Sequence, residues 1–218
     1  PPPTPRSPPP APPPLPRDAD PTPVAPPVTG RAVDGYLARC PVFVDVDGDG
    51  LPGRDEPRAT TDRLGGFAVP RTDSWRRGGS RAYVVVAAAG DPDCVDSFTL
   101  AAPGMSRLTS AEPVDPTEHD DGGVVMVTPL TTVAAALARR RAATPGAAKA
   151  AVNDALGLDA SIDVSRVDPV GAVADGDGHE LVVATSLVAN LVSALSALLT
   201  PACGGDAVRA ETFVVDAV

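Results

Sequence analysis

The stretch Asp45-Val-Asp-Gly-Asp-Gly-Leu-Pro-Gly-Arg-Asp-Glu56 sets acidic residues at alternating positions, then a glycine, then a glutamate at its end. Asp45, Asp47 and Asp49 would supply side-chain oxygens, Gly50 the sharp turn, Leu51 a backbone carbonyl and Glu56 a bidentate carboxylate. That is the pattern by which a short loop wraps a Ca2+ ion. Calcium is a hard cation that takes oxygen ligands, whereas the soft ligands favoured by zinc are missing from this stretch. The alternative is a bare Asp/Gly turn between strands. Such a turn needs only one or two of these residues, and four carboxylates this close would repel one another without a cation. The spacing predicts one Ca2+ site.

The flanks decide what positions the loop. Upstream, Tyr36 to Asp45 is rich in β-branched and aromatic residues and broken by Pro41. Downstream, Pro57 disfavours a helix leaving the loop. Ala59 to Asp62, a turn at Gly65-Gly66 and the short run Phe67 to Val69 follow. The expected order is strand, metal loop, strand, tight turn, strand.

These residues resemble a known group. Gly35-Tyr-Leu, Val42-Phe-Val-Asp-Val-Asp-Gly-Asp-Gly50, Asp55-Glu-Pro57, Thr60-Thr-Asp62 and Gly66-Phe67 are similar to the calcium-binding B-type repeats of serine-aspartate-repeat surface proteins. They also look like the wider collagen-adhesin B-type and carboxypeptidase-regulatory-like β-sandwiches. The resemblance implies an Ig-like or prealbumin-like sandwich whose first strand runs into the acidic loop. It would place Asp62 at the turn aspartate, where it could add an oxygen. The likeness covers about forty residues, with a weaker tail of strands to Val127.

The remaining pattern from 30 to 127 reads as β. Arg81 to Ala89 is expected as a central strand, Ser97 to Ala101 as another and Gly123 to Val127 as the last, giving an antiparallel sandwich. At Thr128-Pro129 the character changes: Thr128 is a good N-cap and Pro129 a good first helical residue for a helix to Arg141. Thr144-Pro145 repeats the signal for a helix to Leu156, and a third helix is expected from Asp177 to Leu199. The expected fold class is therefore α+β as segregated domains. A Pro-rich polyproline-II or disordered spacer (1–29) precedes a calcium-binding antiparallel β-sandwich (30–127) and a small α-helical bundle (128–218).

Residues 1–27 hold fifteen prolines and suit a stiff spacer; Arg6 to Pro12 also matches a pattern read by SH3 domains. A net charge of −10 argues against nucleic acid as a partner. Leu181 to Gly205 carries no charge and is long enough to span a bilayer. A polar stripe of Thr185, Ser186, Asn190, Ser193 and Ser196 favours a bundle helix instead, so membrane insertion is not expected. Of three cysteines, Cys40 and Cys94 fall in the β region, where a bridge between them or two buried thiols are both open; Cys203 is then odd.

No catalytic constellation is evident. His119 and His179 have no metal-binding or nucleophilic partner at recognisable spacing, and Asp175-Gly-Asp-Gly178 lacks the outer ligands of a second calcium loop. The chain is expected to be a non-enzymatic structural module of an extracellular, cell-surface or cell-wall protein, braced by Ca2+. Its expected partners are other surface or matrix protein domains, or copies of the same protein. The alternative is a calcium-dependent binding or adhesion module for a carbohydrate or partner protein, although Trp75 is the sole tryptophan and offers little stacking surface.

Overall fold

The structure is a computed structural model and describes residues 25–78, 81–88, 91–116, 124–174 and 178–217. Among them the chain runs β1 (Val28–Ala32), β2 (Leu37–Ala38), β3 (Pro41–Asp45), β4 (Arg58–Thr60), β5 (Gly66–Val69), α1 (Asp73–Gly78), β6 (Tyr83–Ala87), β7 (Val95–Asp96), β8 (Arg107–Ser110) and β9 (Val125–Thr128). Five further helices follow: α2 (Pro129–Arg141), α3 (Pro145–Leu156), α4 (Pro169–Ala174), α5 (His179–Leu199) and α6 (Ala207–Ala217). The Pro-rich segment up to residue 24, His119 and residues 175–177 lie outside the described residues.

Seven strands form one mixed sheet in the order β4-β3-β6-β8-β9-β1-β5, and β2 pairs with β7 in a separate ladder. β1 runs parallel to β9, with Gly30 opposite Val125 and Ala32 opposite Val127. The other pairs in the large sheet are antiparallel. Its two outer strands, β4 and β5, also lie against each other, so the sheet nearly closes on itself. At that seam Asp62 Oδ1 accepts from the amides of Leu64 and Gly66, both at 2.8 Å, and fixes the turn. Where Ig-like packing would need two facing sheets, the chain curls a single one.

The expectation of an antiparallel Ig-like sandwich followed by a segregated helical bundle is therefore wrong. Parallel strands need a long crossover, and here almost the whole β region between β1 and β9 provides it. The helices are not segregated either. Ala136 of α2, Val192 of α5 and Val214 and Val215 of α6 belong to the same hydrophobic cluster as Val42, Val84, Leu108 and Val127.

The sequence forms these elements for local reasons. Val42 and Val44 of β3 and Val84 and Val86 of β6 are completely buried on the inner face of the curled sheet. Phe43 and Val85 point the other way, yet are only 1% and 2% exposed. Over β8 and β9 the sheet is covered by α2. Thr132 Oγ1 of α2 accepts from Thr109 N of β8 at 2.9 Å, and Thr131 Oγ1 donates to Thr109 O at 2.8 Å. Thr128 ends β9 and caps α2 in a reciprocal box with Thr131, with Pro129 at the first helical position. Sheet and helical layer thus share a residue at the junction. α3 has Thr144 as N-cap and stops at Gly157, whose φ of 66° suits a left-handed C-cap.

One expected strand is not formed and several unexpected elements are. Ser97 to Ala101 is a turn, in which Asp96 Oδ1 accepts from Phe98 N at 2.7 Å and Thr99 N at 3.2 Å. β8 and the helices α1, α4 and α6 were not anticipated. α5 is long and apolar enough to cross a membrane by length and composition. It buries Leu181, Ala184, Ala189 and Val192 and leaves Val183, Leu187, Leu191 and Leu198 exposed.

Candidate metal centre

β3 ends at Asp45 and β4 begins at Arg58, so the acidic loop bridges two antiparallel neighbours. Asp45 is held by the last position of β3 and is 9% exposed. Its Oδ1 accepts from Gly48 N at 2.8 Å and its Oδ2 from Gly50 N at 3.1 Å. Gly48 and Gly50 have φ of 81° and 72°, values an L side chain rarely adopts. The loop then steps round in short Asx turns: Asp47 Oδ1 accepts from Asp49 N at 3.2 Å, and Asp49 Oδ1 from Leu51 N at 2.7 Å.

The result is convergence. Asp45, Asp47 and Asp49 each present a carboxylate oxygen, and these oxygens lie within 4.8 Å of one another. Burial holds the Asp45 carboxyl above its ordinary pKa, and the neighbouring charges of Glu56 and Asp47 push the same way, against the amide bonds of Gly48 and Gly50. A group that resists ionisation for these reasons is one whose charge a cation would relieve. Three hard oxygens at this separation are a donor set suited to Ca2+ or another oxygen-seeking ion.

Not every expected ligand joins them. Glu56 is 9% exposed and stands outside the three-aspartate group. Its Oε1 accepts from Val46 N at 2.7 Å and its Oε2 from Gly53 N at 2.8 Å, so its carboxylate closes the loop on its own backbone. Leu51, whose backbone carbonyl was the expected ligand, is 58% exposed, and its amide donates to Asp49 Oδ1. Asp62 is committed to the β4–β5 turn already described.

Several residues that shape the loop were not anticipated. Arg107 of β8 donates from Nη1 to Gly50 O at 3.0 Å. The Arg58 guanidinium donates to Gly53 O. A cleft of about 280 Å3 beside the loop is lined by Asp45, Asp49, Tyr83, Arg107, Glu211 and Asp216. Arg107 and Glu211 come from distant parts of the chain, and no local spacing marks them.

Cys40 immediately precedes β3 and is bonded to Cys94 just before β7, with S–S 2.03 Å. Both are buried, and the bridge ties the β2–β7 ladder to the root of the strand that leads into the acidic loop. Cys203, in the turn between α5 and α6, is a free thiol of intermediate exposure.

No family model, no curated protein and no solved structure matches the chain.

Proposed function

We propose that this chain is a non-enzymatic structural module of an extracellular, cell-surface or cell-wall protein, stiffened by one Ca2+ bound in the 45–56 loop. The observation that carries the reading is the convergence of the Asp45, Asp47 and Asp49 oxygens within 4.8 Å on a loop held between two paired strands. The Cys40–Cys94 bridge supports an oxidising location, since such bonds persist outside the cytosol. The loop ends enter strands and not helices, so binding has no helix pair to open and acts as a brace. Asp45, Asp47 and Asp49 would hold the ion, with Glu56 fixing the backbone around it. Partners on this reading are other surface or matrix domains, or further copies of the same protein.

The test is calorimetric titration of the chelator-treated chain with Ca2+, followed by limited proteolysis with and without the ion. One-site binding and slower cleavage within 45–56 support the brace. Absence of heat together with an unchanged cleavage pattern refutes it.

The cleft beside Asp45 and Asp49 favours a second reading, in which the bound ion and the cleft together recognise a carbohydrate or a partner protein. Glycan or partner binding that is lost in Asp47→Ala would select that reading over the simple brace.

A further inference from the structure

The acidic loop does not stand alone. Gly50 donates its amide to Asp45 and offers its carbonyl to Arg107 Nη1, each within 3.1 Å. The other end of the same guanidinium, Nη2, donates to Thr212 Oγ1 of α6 at 3.0 Å. The Thr212 hydroxyl spends its own proton on Val208 O at 2.9 Å, so toward Arg107 it can only accept. One residue earlier on α6, Glu211 is 6% exposed and takes the amides of Ser106 at 2.6 Å and Arg107 at 3.0 Å. Arg107 therefore has its backbone clamped by one α6 side chain while its guanidinium spans from the next one to the loop. The fit is close: a Cβ added at Gly50 would meet Arg107 Nη1 at 2.5 Å.

We infer that Arg107 is a positioning residue for the 45–56 loop and that, through it, the loop and α6 hold each other in place. A planar guanidinium can serve two acceptors on opposite sides at once, which an ammonium cannot do in the same geometry. Ordering the loop fixes Gly50 O, which fixes the guanidinium, which fixes Thr212. By linkage the effect runs both ways, so a docked α6 strengthens whatever binds the ordered loop. The cation-dependent half of this inference rests on the calcium reading above; the mechanical half does not.

The experiment is amide hydrogen exchange on the full chain, with Ca2+ and with chelator, paired with calorimetric titration by Ca2+. The variants are Thr212→Val, which deletes the acceptor without changing shape, Thr212→Ser, which keeps it, and Arg107→Lys. In the parent chain Ca2+ is expected to slow exchange across α6 as well as in the loop. Thr212→Val and Arg107→Lys are expected to weaken Ca2+ binding roughly 5-fold and to uncouple α6 from the ion, and Thr212→Ser to restore both. Calorimetric binding with α6 exchange indifferent to Ca2+ overturns the inference and leaves the calcium reading standing. If no Ca2+ binds, the calcium reading fails and the metal-free chain decides: faster exchange at Gly50 and Leu51 in Thr212→Val, reversed in Thr212→Ser, sustains the link. Unchanged exchange there overturns it.

Discussion

Lys149, the only lysine, places Nζ 2.5 Å from Glu112 Oε1 and so ties α3 to the segment that leaves β8. The same ammonium lies 2.9 Å from Asp163 Oδ1 and 3.0 Å from Ser165 Oγ. Burial works to lower the Lys149 pKa, but the hydrogen bonds and charges of Glu112 and Asp163 outweigh it, and the pKa is raised. The Lys149 side chain is 14% exposed while its partners are 42% and 44% exposed, so solvent screens part of the pairing. Lys149→Met is expected to cost about 1–2 kcal/mol, read as a lower urea midpoint with an unchanged slope. Because the folded pKa is raised, the lysine side of this contribution holds up to 10.5 and fades as pH climbs through the raised value, while in acid the pairing goes as its carboxylates take up protons.

Calcium should act differently on the loop's two kinds of carboxylate. Asp47 and Asp49 are exposed and accept only local amides, so Asp47→Ala or Asp49→Ala should leave the chelated chain within about 0.5 kcal/mol of its parent. Either change should abolish the thermal response to Ca2+. That response in the parent, at an ion concentration of 100 times Kd, amounts to about 2.7 kcal/mol, or roughly 5–10 °C for a chain of this size. Differential scanning calorimetry reads both quantities.

Glu56→Ala should instead destabilise the chain with or without the ion. It strips acceptors from Val46 N and Gly53 N in a residue that is 9% exposed. A loss of about 1–3 kcal/mol is expected, visible in the chelated protein by urea titration. A variant harmless without Ca2+ and harmful with it would mean that Glu56 leaves the backbone to ligate the ion.

Reduction probes the other restraint on β3. Cys40 and Cys94 are 54 residues apart, and closing a loop of that length constrains the unfolded chain by about 4 kcal/mol at most. Replacing both by serine should lower the urea midpoint by an amount equivalent to about 2–4 kcal/mol. Alkylation without reductant should label Cys203 alone.

How far the sequence disclosed this molecule varies by element. The acidic loop, the strands on either side of it and the starts of α2 and α3 follow from short-range signals: alternating aspartates, Pro57, and Thr-Pro pairs that cap and open helices. The arrangement of the strands does not. Pairing β1 with β9 joins residues almost a hundred positions apart, and nothing local to Val28–Ala32 or Val125–Thr128 records it. One clue to the layering was present. Val42-Phe43-Val44 and Val84-Val85-Val86 are continuous apolar runs, the mark of strands buried on both faces. A sandwich open to water on its outer side would have alternated. Val85 needed a cover, and residues of α2 and α6 stand beside it. At the candidate site the same division holds: Asp45, Asp47 and Asp49 converge because their spacing makes them, whereas Arg107 and Glu211 arrive through tertiary folding.

Opposed carboxylates should give stability a maximum in mild acid. Asp168 loses solvation on burial, but the amide of Gly171, the guanidinium of Arg31 at 2.6 Å and the hydroxyl of Tyr36 at 3.0 Å more than compensate, and its pKa is lowered. Asp163 is lowered too: burial opposes the shift, and Ser165 and Lys149 outweigh it. A lowered folded pKa means stability that is present above 3.8 and lost as pH falls through the folded value. Asp34 and Glu211 behave in the opposite sense. Burial dominates both, and although Asp34 accepts from Gly104 N at 3.1 Å and Met105 N at 3.3 Å, each pKa is raised. Their protonated forms favour the fold, so stability falls as pH climbs from 3.8 for Asp34 and 4.5 for Glu211 through the raised values. Urea midpoints of the chelated protein across this range should therefore rise from strong acid, peak, and decline toward neutrality. Asp34→Asn keeps an oxygen for the two amides and removes the charge. It should flatten the decline on the neutral side and leave the acid limb, set by Asp163 and Asp168, where it was. An unchanged decline would mean that Asp34 is ionised in the fold without cost.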